Sequence, residues 1–273
     1  MISLLIVAGT GRPYLRAALD SLVRQDKSNW EAIVIECCLK SEDTAEVMRQ
    51  LDAVSDARIR VFSYDGDRNY PPYASRKWNF ALTQAKGDLV AFLDDDDMKE
   101  DNWLSAMSAP FSDLSLTTTI CNGTPIDTAG VRHGQLFGHV SLDYDSLIHA
   151  RFVTTGQLLV RRQDLDAIGG FDGELACAED YDLCLRLASR PWHFVAETRC
   201  LKRDSGDNAC YNPGVGGYTQ AALRRIIAKH GILYECHSCG KGFSTPDESF
   251  VWCEPGGRFH NWHYGCTGLK PGV

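Results

Sequence analysis

Strands and helices alternate along the first hundred residues, and this alternation constrains the fold more than any other feature. Four apolar runs predict strands, at 2–7, 31–36, 58–63 and 89–93. Helical periodicity predicts three helices between them, at 15–23, 43–53 and 75–86. Because strands that alternate with helices pair in parallel, the pattern predicts an α/β fold with a doubly wound sheet.

Four consecutive carboxylates follow the fourth predicted strand. Ligands of such sheets bind at the carboxyl ends of the strands, which is where Asp94–Asp97 lie. Adjacent carboxylates repel one another, and their oxygen atoms suit Mg²⁺ or Mn²⁺. Alternate residues of an extended chain point the same way, so Asp94 and Asp96 are expected to share an ion, with Asp97 as a further ligand. The alternative interpretation is a solvated acidic loop.

Cysteines and histidines crowd into the last 40 residues. One set has the spacing C-x2-C-x23-H-x2-C: Cys236, Cys239, His263 and Cys266. This set resembles the first zinc site of LIM-type fingers, related to treble-clef modules, and three thiolates with one imidazole form a closed structural zinc site. His260 and Cys253 are alternate ligands, and free thiols in a loop are the other interpretation. We therefore predict a catalytic domain over 1–231 and a zinc-binding module over 232–273, which is too small to be stable without such a ligand.

Three motifs resemble one enzyme family. Gly87–Asp97 (GDLVAFLDDDD) resembles a segment of the family-two glycosyltransferases, which have the GT-A fold. Gly169–Asp172 (GGFD) and Glu179–Arg186 (EDYDLCLR) resemble the family's later block, and the opening strand with Arg12 and Pro13 resembles its start. These matches cover roughly residues 2–210. The resemblance implies a Rossmann-like, mostly parallel sheet and transfer of a hexose from a nucleotide sugar, expected to be a UDP-sugar.

The resemblance also implies site residues. Asp180 of the Glu179–Asp180 pair is the expected base for an acceptor hydroxyl, in a single displacement that inverts the anomeric centre. The pair has another interpretation, as acids that the helix dipole favours in a first turn. Mn²⁺ or Mg²⁺ at the four carboxylates would neutralise the departing diphosphate. Donor-binding residues are expected to be Ala8, Gly9, Thr10, Glu36, Lys77, Asn79, Asp94 and Asp95.

The sequence departs from the family pattern at three places. The first loop reads Ala8-Gly9-Thr10-Gly11, and Cys37 and Cys38 follow Glu36 where the family has nucleotide-binding carboxylates. Ser205 stands where a metal-binding histidine often follows an arginine.

Charge is distributed unevenly. The net charge is −8, but residues 199–273 carry 9 Lys and Arg against 6 Asp and Glu, and the rest of the chain is at −11. Basic residues together with loop aromatics suggest a hydroxymethylated base of viral DNA as acceptor. Those aromatics are Tyr70, Tyr73, Trp78 and Tyr211. A glycan or other small hydroxyl compound is the alternative acceptor, and a catalytically inactive protein that binds through its zinc module is the alternative function. No apolar run reaches the length of a membrane span, so we expect a cytoplasmic protein.

Overall fold

The computed structural model describes most of the chain. The described residues are 1–9, 11–66, 73–136, 147, 153–204, 222 and 225–231, with the backbone of four further strands at 234–235, 242–243, 249–253 and 259–263. Thr10, Ser205, Tyr70 and Tyr211 lie outside the described residues.

Eight strands form one sheet in the order β3-β2-β1-β4-β7-β6-β8-β5. They are β1 (Ile2–Ala8), β2 (Trp30–Glu36), β3 (Ile59–Ser63), β4 (Leu89–Asp94), β5 (Met98–Lys99), β6 (Thr118–Ile126), β7 (Leu158–Arg161) and β8 (Trp192–Arg203). The first four in sequence are parallel to one another. β7 is antiparallel to β4 and β6, β8 is parallel to β6, and β5 is antiparallel to β8. The prediction of an α/β fold with a mostly parallel sheet is confirmed.

Helices cover both faces of the sheet. They are α1 (Leu15–Val23), α2 (Ser41–Asp52), α3 (Ala74–Gln84), α4 (Trp103–Ser108), α5 (Arg162–Ala167) and α6 (Glu179–Leu187). Side chains of β1 alternate between two cores: Leu5 packs with α3 and α6, whereas Leu4 and Ile6 pack with α1, α2 and α4. Trp78 of α3 lies in the first of these cores and is 3% exposed. It contacts the rings of Phe92 and Phe171, so its interpretation as a loop aromatic for a nucleic-acid base is wrong.

Carboxyl ends of four strands meet at one edge of the sheet. Ala8 of β1 lies beside Glu36 of β2, and Val7 lies beside Asp94 of β4. Because β4, β7 and β6 pair antiparallel in turn, β6 runs in the direction of β4. β8 is parallel to β6, so its last residues, Lys202 and Arg203, reach the same edge as Asp94.

The last described segments are short. Residues 225–230 are helical. β9 (Tyr234–Glu235) pairs with β10 (Gly242–Phe243), and β11 (Ser249–Cys253) pairs antiparallel with β12 (Phe259–His263). The predicted zinc ligands Cys236, Cys239 and Cys266 lie outside the described residues. Cys253, His260 and His263 belong to β11 and β12, whose backbone alone is described, so the zinc site and the domain boundary stay predictions. Among the described helices, none is long and apolar enough to cross a membrane.

Candidate active site

Four carboxylates lie at the edge where the strands end, as the sequence predicts. Asp94 is the last residue of β4, and the chain turns at once, with the Asp97 N–H donating to the Asp94 carbonyl at 3.2 Å. Asp96 and Asp97 are buried, whereas Asp94 and Asp95 are partly exposed. We call Asp94–Asp97 the acidic cluster.

Cationic groups of the chain already contact the acidic cluster. The Lys202 Nζ lies 2.6 Å from Asp94 Oδ2 and 3.0 Å from Asp97 Oδ2. The Arg12 Nη1 lies 2.8 Å from Asp96 Oδ2. A backbone N–H also takes part, since that of Arg203 donates to Asp97 Oδ1 at 2.9 Å. The repulsion expected among adjacent carboxylates is thus offset from within the protein.

These contacts and burial shift the pKa values of the cluster's carboxyl groups in different directions. Burial alone would raise the pKa of Asp94, but Lys202, with Lys99 and Arg12, outweighs burial and holds that pKa below its usual value. Burial and the charge of Asp96 raise the pKa of Asp95 to about 7. Burial also raises the pKa of Asp97 to about 7, although Lys202 opposes it. Burial would lower the pKa of Lys202, but Asp94 and Asp97 raise it well above its usual value, so Lys202 is charged.

The arrangement does not fit the predicted divalent cation. Oxygen ligands of the right kind are present. However, within the described part of the chain no three His, Cys, Asp or Glu side chains are placed to hold a metal. Lys202 bridges Asp94 and Asp97, and Arg12 holds the Asp96 oxygen. An ion shared by Asp94 and Asp96 would have to displace one of these cations.

The predicted catalytic pair lies beside the acidic cluster. Glu179 and Asp180 open α6 and are half-buried. Burial and the adjacent Asp180 raise the pKa of Glu179 to about 8. Burial raises the pKa of Asp180 to about 6, with a contribution from Asp94, although the Tyr181 N–H donates to Asp180 Oδ1 at 2.8 Å. Near neutral pH, Asp180 is therefore mostly ionised and Glu179 is mostly protonated.

Local backbone and ion pairs fix the start of α6. Ala178 precedes it in the left-handed conformation, with φ of 57°, which is costly for a residue other than glycine. The fully buried Asp182 accepts from Lys229 at 2.8 Å and lies 2.9 Å from the His230 ring. These contacts tie α6, which begins directly after the strained turn, to the helical segment 225–230.

Several predicted donor-binding residues lie at the same edge. The Gly9 backbone N–H donates to the Asp95 carboxylate, and the Ala8 carbonyl accepts from the Cys37 N–H at 3.0 Å. Lys77 is buried with its ammonium beside the Cys37 thiol, and it opposes the rise in the pKa of that thiol that burial causes. The positions of Ala8, Gly9, Lys77 and Asp95 agree with donor binding, which stays a prediction.

Glu36 and Asn79 make internal contacts instead. Glu36 Oε1 accepts from the Cys38 N–H at 2.9 Å and from the Thr44 hydroxyl at 2.8 Å, which ties β2 to α2. Asn79 donates to the Phe171 carbonyl at 2.9 Å and accepts from the Phe171 N–H at 2.8 Å. Asn79 thus holds the turn of the GGFD motif, and its predicted donor contact stays a prediction.

Residues 3–169 match the sequence model of the family described as Glycosyl transferase family 2. This match covers more than half of the chain. The chain belongs to glycosyl transferase family 2. The prediction of a glycosyltransferase domain is therefore confirmed.

Curated relatives of this family 2 chain have names from polysaccharide biosynthesis. A putative colanic acid biosynthesis glycosyl transferase, WcaA of Escherichia coli, is 28% identical over 200 residues, covering 70% of this chain and 68% of that protein. The O-antigen biosynthesis protein RfbC of Myxococcus xanthus is 26% identical over 237 residues, covering 82% of this chain and 18% of that protein. The chain spans about a fifth of the length of RfbC and of another relative that is 30% identical.

Solved structures share the family 2 fold. TarS 1–349 of S. aureus in complex with UDP-GlcNAc superposes with a TM-score of 0.64 at 16% identity, covering 83% of this chain and 65% of that chain. The mannosyltransferase PcManGT of Pyrobaculum calidifontis, in complex with GDP-Man and Mn²⁺, superposes at 0.57 and 15% identity, covering 84% and 63%. At these identities, the likeness concerns the fold alone.

The sequence pattern does not assign Lys202 to the site of this family 2 chain. By sequence, Lys202 is only one of the basic residues of the carboxyl-terminal part. Its contact with Asp94 depends on β8, a strand that hydrophobic periodicity does not predict. One feature of the sequence could have indicated this strand end, because the apolar residues Cys200 and Leu201 directly precede two cations.

Proposed function

We propose that this chain transfers a sugar from a nucleoside-diphosphate sugar to an acceptor hydroxyl, with Asp180 as the general base. The observation that carries the proposal is the position of Asp180. It is half-buried beside Asp94 and Lys202, at the edge where the strands end. Its pKa of about 6 makes it a base at neutral pH.

The proposed step is a single displacement. The acceptor oxygen attacks the anomeric carbon and forms the new glycosidic bond, while the bond from that carbon to the β-phosphate oxygen breaks. Its electron pair leaves with the nucleoside diphosphate, and the acceptor proton moves to the Asp180 carboxylate. Attack opposite the leaving group inverts the anomeric configuration. Glu179, mostly protonated near pH 7, leaves Asp180 as the negative member of the pair.

We propose that the donor is a UDP-sugar bound along β1, β2 and β4. Ala8 and Gly9 end β1, Lys77 lies beside Cys37 after β2, and Asp95 follows β4. Backbone groups at such an edge are suited to a nucleotide, because ligands of parallel sheets bind there. The family's usual donors support uridine. The predicted Mn²⁺ or Mg²⁺ has no part in this proposal, since Lys202 and Arg12 hold the oxygen atoms it needs.

A glycan is the acceptor we favour. The names of the relatives from polysaccharide biosynthesis support it. DNA, the acceptor favoured by the basic carboxyl-terminal residues, loses support because several of these residues contact carboxylates of the chain. Arg199 pairs with Glu100, Lys202 with Asp94, and Lys229 with Asp182. A hydroxymethylated base in DNA remains the second acceptor to be tested.

We further propose that residues 232–273 bind one structural zinc ion. The proposal rests on the C-x2-C-x23-H-x2-C spacing of Cys236, Cys239, His263 and Cys266. Elemental analysis of the purified chain is expected to give one zinc per chain, and Cys239→Ser is expected to lose it. The proposal is contradicted if the wild-type protein is as stable without zinc as with zinc.

The experiment on function offers both acceptor classes to the protein. The full chain is incubated with a pool of UDP- and GDP-sugars and either free saccharides or DNA that contains 5-hydroxymethylcytosine or 5-hydroxymethyluracil. Mass spectrometry detects a hexose-sized gain, and release of nucleoside diphosphate is measured in parallel. Gain on a saccharide supports a glycan acceptor, and gain on a nucleoside supports DNA.

Two variants make this experiment specific. Asp180→Asn is expected to lower transfer by about 10²–10⁴-fold. Asp166→Asn is the matched control, since Asp166 is an exposed carboxylate that pairs only with Arg162 among the contacts described. If neither acceptor gains mass and no nucleoside diphosphate is released, the chain is not a transferase for these donors, and a binding function gains support.

A further inference from the structure

Lys202 occupies the place in the acidic cluster where the family resemblance puts a divalent ion. Its Nζ lies within 3.0 Å of one oxygen of Asp94 and one of Asp97. An ammonium group has three N–H donors, and these contacts use two of them. The side chain is 27% exposed.

The end of β8 is anchored so that Lys202 stays at this place. Arg203, the next residue, is 2% exposed, and its Nε donates to the Asp96 carbonyl at 2.7 Å. Its Nη1 donates to the carbonyls of Asp127 and Thr128 at 2.7 and 2.8 Å. Successive residues of a strand point to opposite sides. Fixing Arg203 on one side therefore directs Lys202 to the other, toward Asp94.

Charge at the cluster matches that of the predicted metal. Lys202 and Arg12 together bring two positive charges to Asp94, Asp96 and Asp97, as many as one divalent ion would bring. An ion at Asp94 would lie within contact distance of the Lys202 ammonium, and two cations so close repel each other strongly in a partly buried site. Lys202 and a divalent ion therefore compete for Asp94.

We propose that Lys202 is the resident cation of the acidic cluster, that it excludes a divalent ion from Asp94, and that it provides the positive charge for the diphosphate of the donor. The part of the proposal that concerns the diphosphate rests on the proposed function. Exclusion of the ion does not, because it depends only on contacts within the chain.

The first test is metal binding without nucleotide. Mn²⁺ is titrated into the full-length wild-type chain, Lys202→Met and Lys86→Met, with binding measured by calorimetry and by the EPR signal of free Mn²⁺. Lys86 is exposed and its backbone N–H contacts Glu31, so Lys86→Met removes one ammonium away from the cluster. Lys202→Met is expected to bind Mn²⁺ at least about tenfold more tightly than the other two proteins. Equal binding by all three, or by none, would overturn the proposal.

The second test is nucleotide binding without metal. UDP and GDP are titrated in the presence of EDTA. Wild type is expected to bind one of them, Lys202→Met about tenfold more weakly, and Lys202→Arg nearly as well as wild type, since it keeps a charged donor. Binding by wild type that requires Mn²⁺ would refute the role of Lys202 at the diphosphate.

A third variant covers the case in which Lys202→Met does not fold, as judged by circular dichroism. Lys202→Arg keeps the positive charge and is expected to exclude Mn²⁺ as wild type does. If Lys202→Arg instead binds Mn²⁺ about tenfold more tightly than wild type, the proposal is also overturned. If neither nucleotide binds to any protein with or without Mn²⁺, the proposed function fails. In that case the Mn²⁺ titration still tests, independently of the proposed function, whether Lys202 excludes a divalent ion.

Discussion

Replacing Asp180 with asparagine removes the proposed base while keeping the size and hydrogen bonding of the side chain. Asp180 Oδ1 accepts from the Tyr181 N–H, a contact that the asparagine oxygen can retain. The fold should therefore survive. General-base catalysis contributes about 10²–10⁴-fold, so kcat/KM is expected to fall by about that factor.

The dependence of activity on pH gives a second, independent prediction, namely the size of the loss of activity at low pH. With a pKa of about 6, Asp180 is about 90% ionised at pH 7 and about 10% ionised at pH 5. Activity that needs the carboxylate should therefore fall about tenfold between these pH values and level off above pH 7. The direction follows from burial, which favours the protonated form and moves the loss of activity to higher pH than for an exposed aspartate.

Glu179→Gln separates the two members of the pair. The pKa of Glu179 is about 8, so this side chain is mostly neutral at pH 7, and glutamine imitates that state. We expect kcat/KM of this variant to stay within about threefold of wild type at pH 7. If Glu179 were the base instead, its variant and not Asp180→Asn would lose activity.

The assay measures release of nucleoside diphosphate from pH 5 to pH 8.5, with the donor and acceptor that the mass-spectrometric experiment identifies. Asp166→Asn serves as the control and should reproduce the wild-type profile. The reasoning is refuted if Asp180→Asn keeps activity within about threefold of wild type, or if its residual activity still rises about tenfold from pH 5 to pH 7.

Three further predictions concern stability. Asp182→Asn removes a fully buried carboxylate that pairs with Arg186 and Lys229, and is expected to cost about 3–5 kcal/mol in urea unfolding at pH 7. Because the folded-state pKa of Asp182 is held below its usual value, its contribution is present above about pH 4 and is lost as pH falls further, so wild type and variant should converge in acid. Gly170→Ala places a Cβ 2.6 Å from the Asn79 Oδ1 at a φ of +66° and should cost about 1–3 kcal/mol, measured by chemical denaturation. Trp103→Ala empties a fully buried site and should lower the free energy of unfolding by about 3–5 kcal/mol in the same assay, and a loss below about 1 kcal/mol would contradict the packing described.

Two central strands of the first half of the fold, β1 and β2, are predictable because they bury both faces. Every residue of β2 is buried, and β1 has only one partly exposed position, so both read as continuous apolar runs. Parallel pairing of such strands places their carboxyl ends together. The sequence pattern alone therefore predicts that Asp94 lies at the same end of the sheet as the carboxyl ends of β1 and β2.

β8 is not predictable in the same way. Its burial pattern is irregular, with His193, Glu197 and Arg199 exposed or half-exposed along twelve residues. Its pairing with β6 also shifts register between Cys121 and Asn122. An irregular strand whose partner lies about 70 residues earlier leaves no periodic signal, because the stabilising contacts are long-range. Hydrophobic periodicity alone consequently does not distinguish Lys202 from a surface cation.

The net charge counted along a segment of sequence differs from the charge that the folded segment leaves unpaired, as the carboxyl-terminal part shows. Residues 199–273 have an excess of three positive charges, which suggests an anionic polymer as partner. In the fold, Arg199, Lys202, Arg225 and Lys229 each lie within 3.6 Å of a carboxylate oxygen from the preceding 200 residues. These four cations of the basic part are thus neutralised by carboxylates of the acidic part. A charge imbalance predicts a polyanionic ligand only for cations that the fold leaves unpaired, and for this reason the glycan acceptor is the better supported of the two.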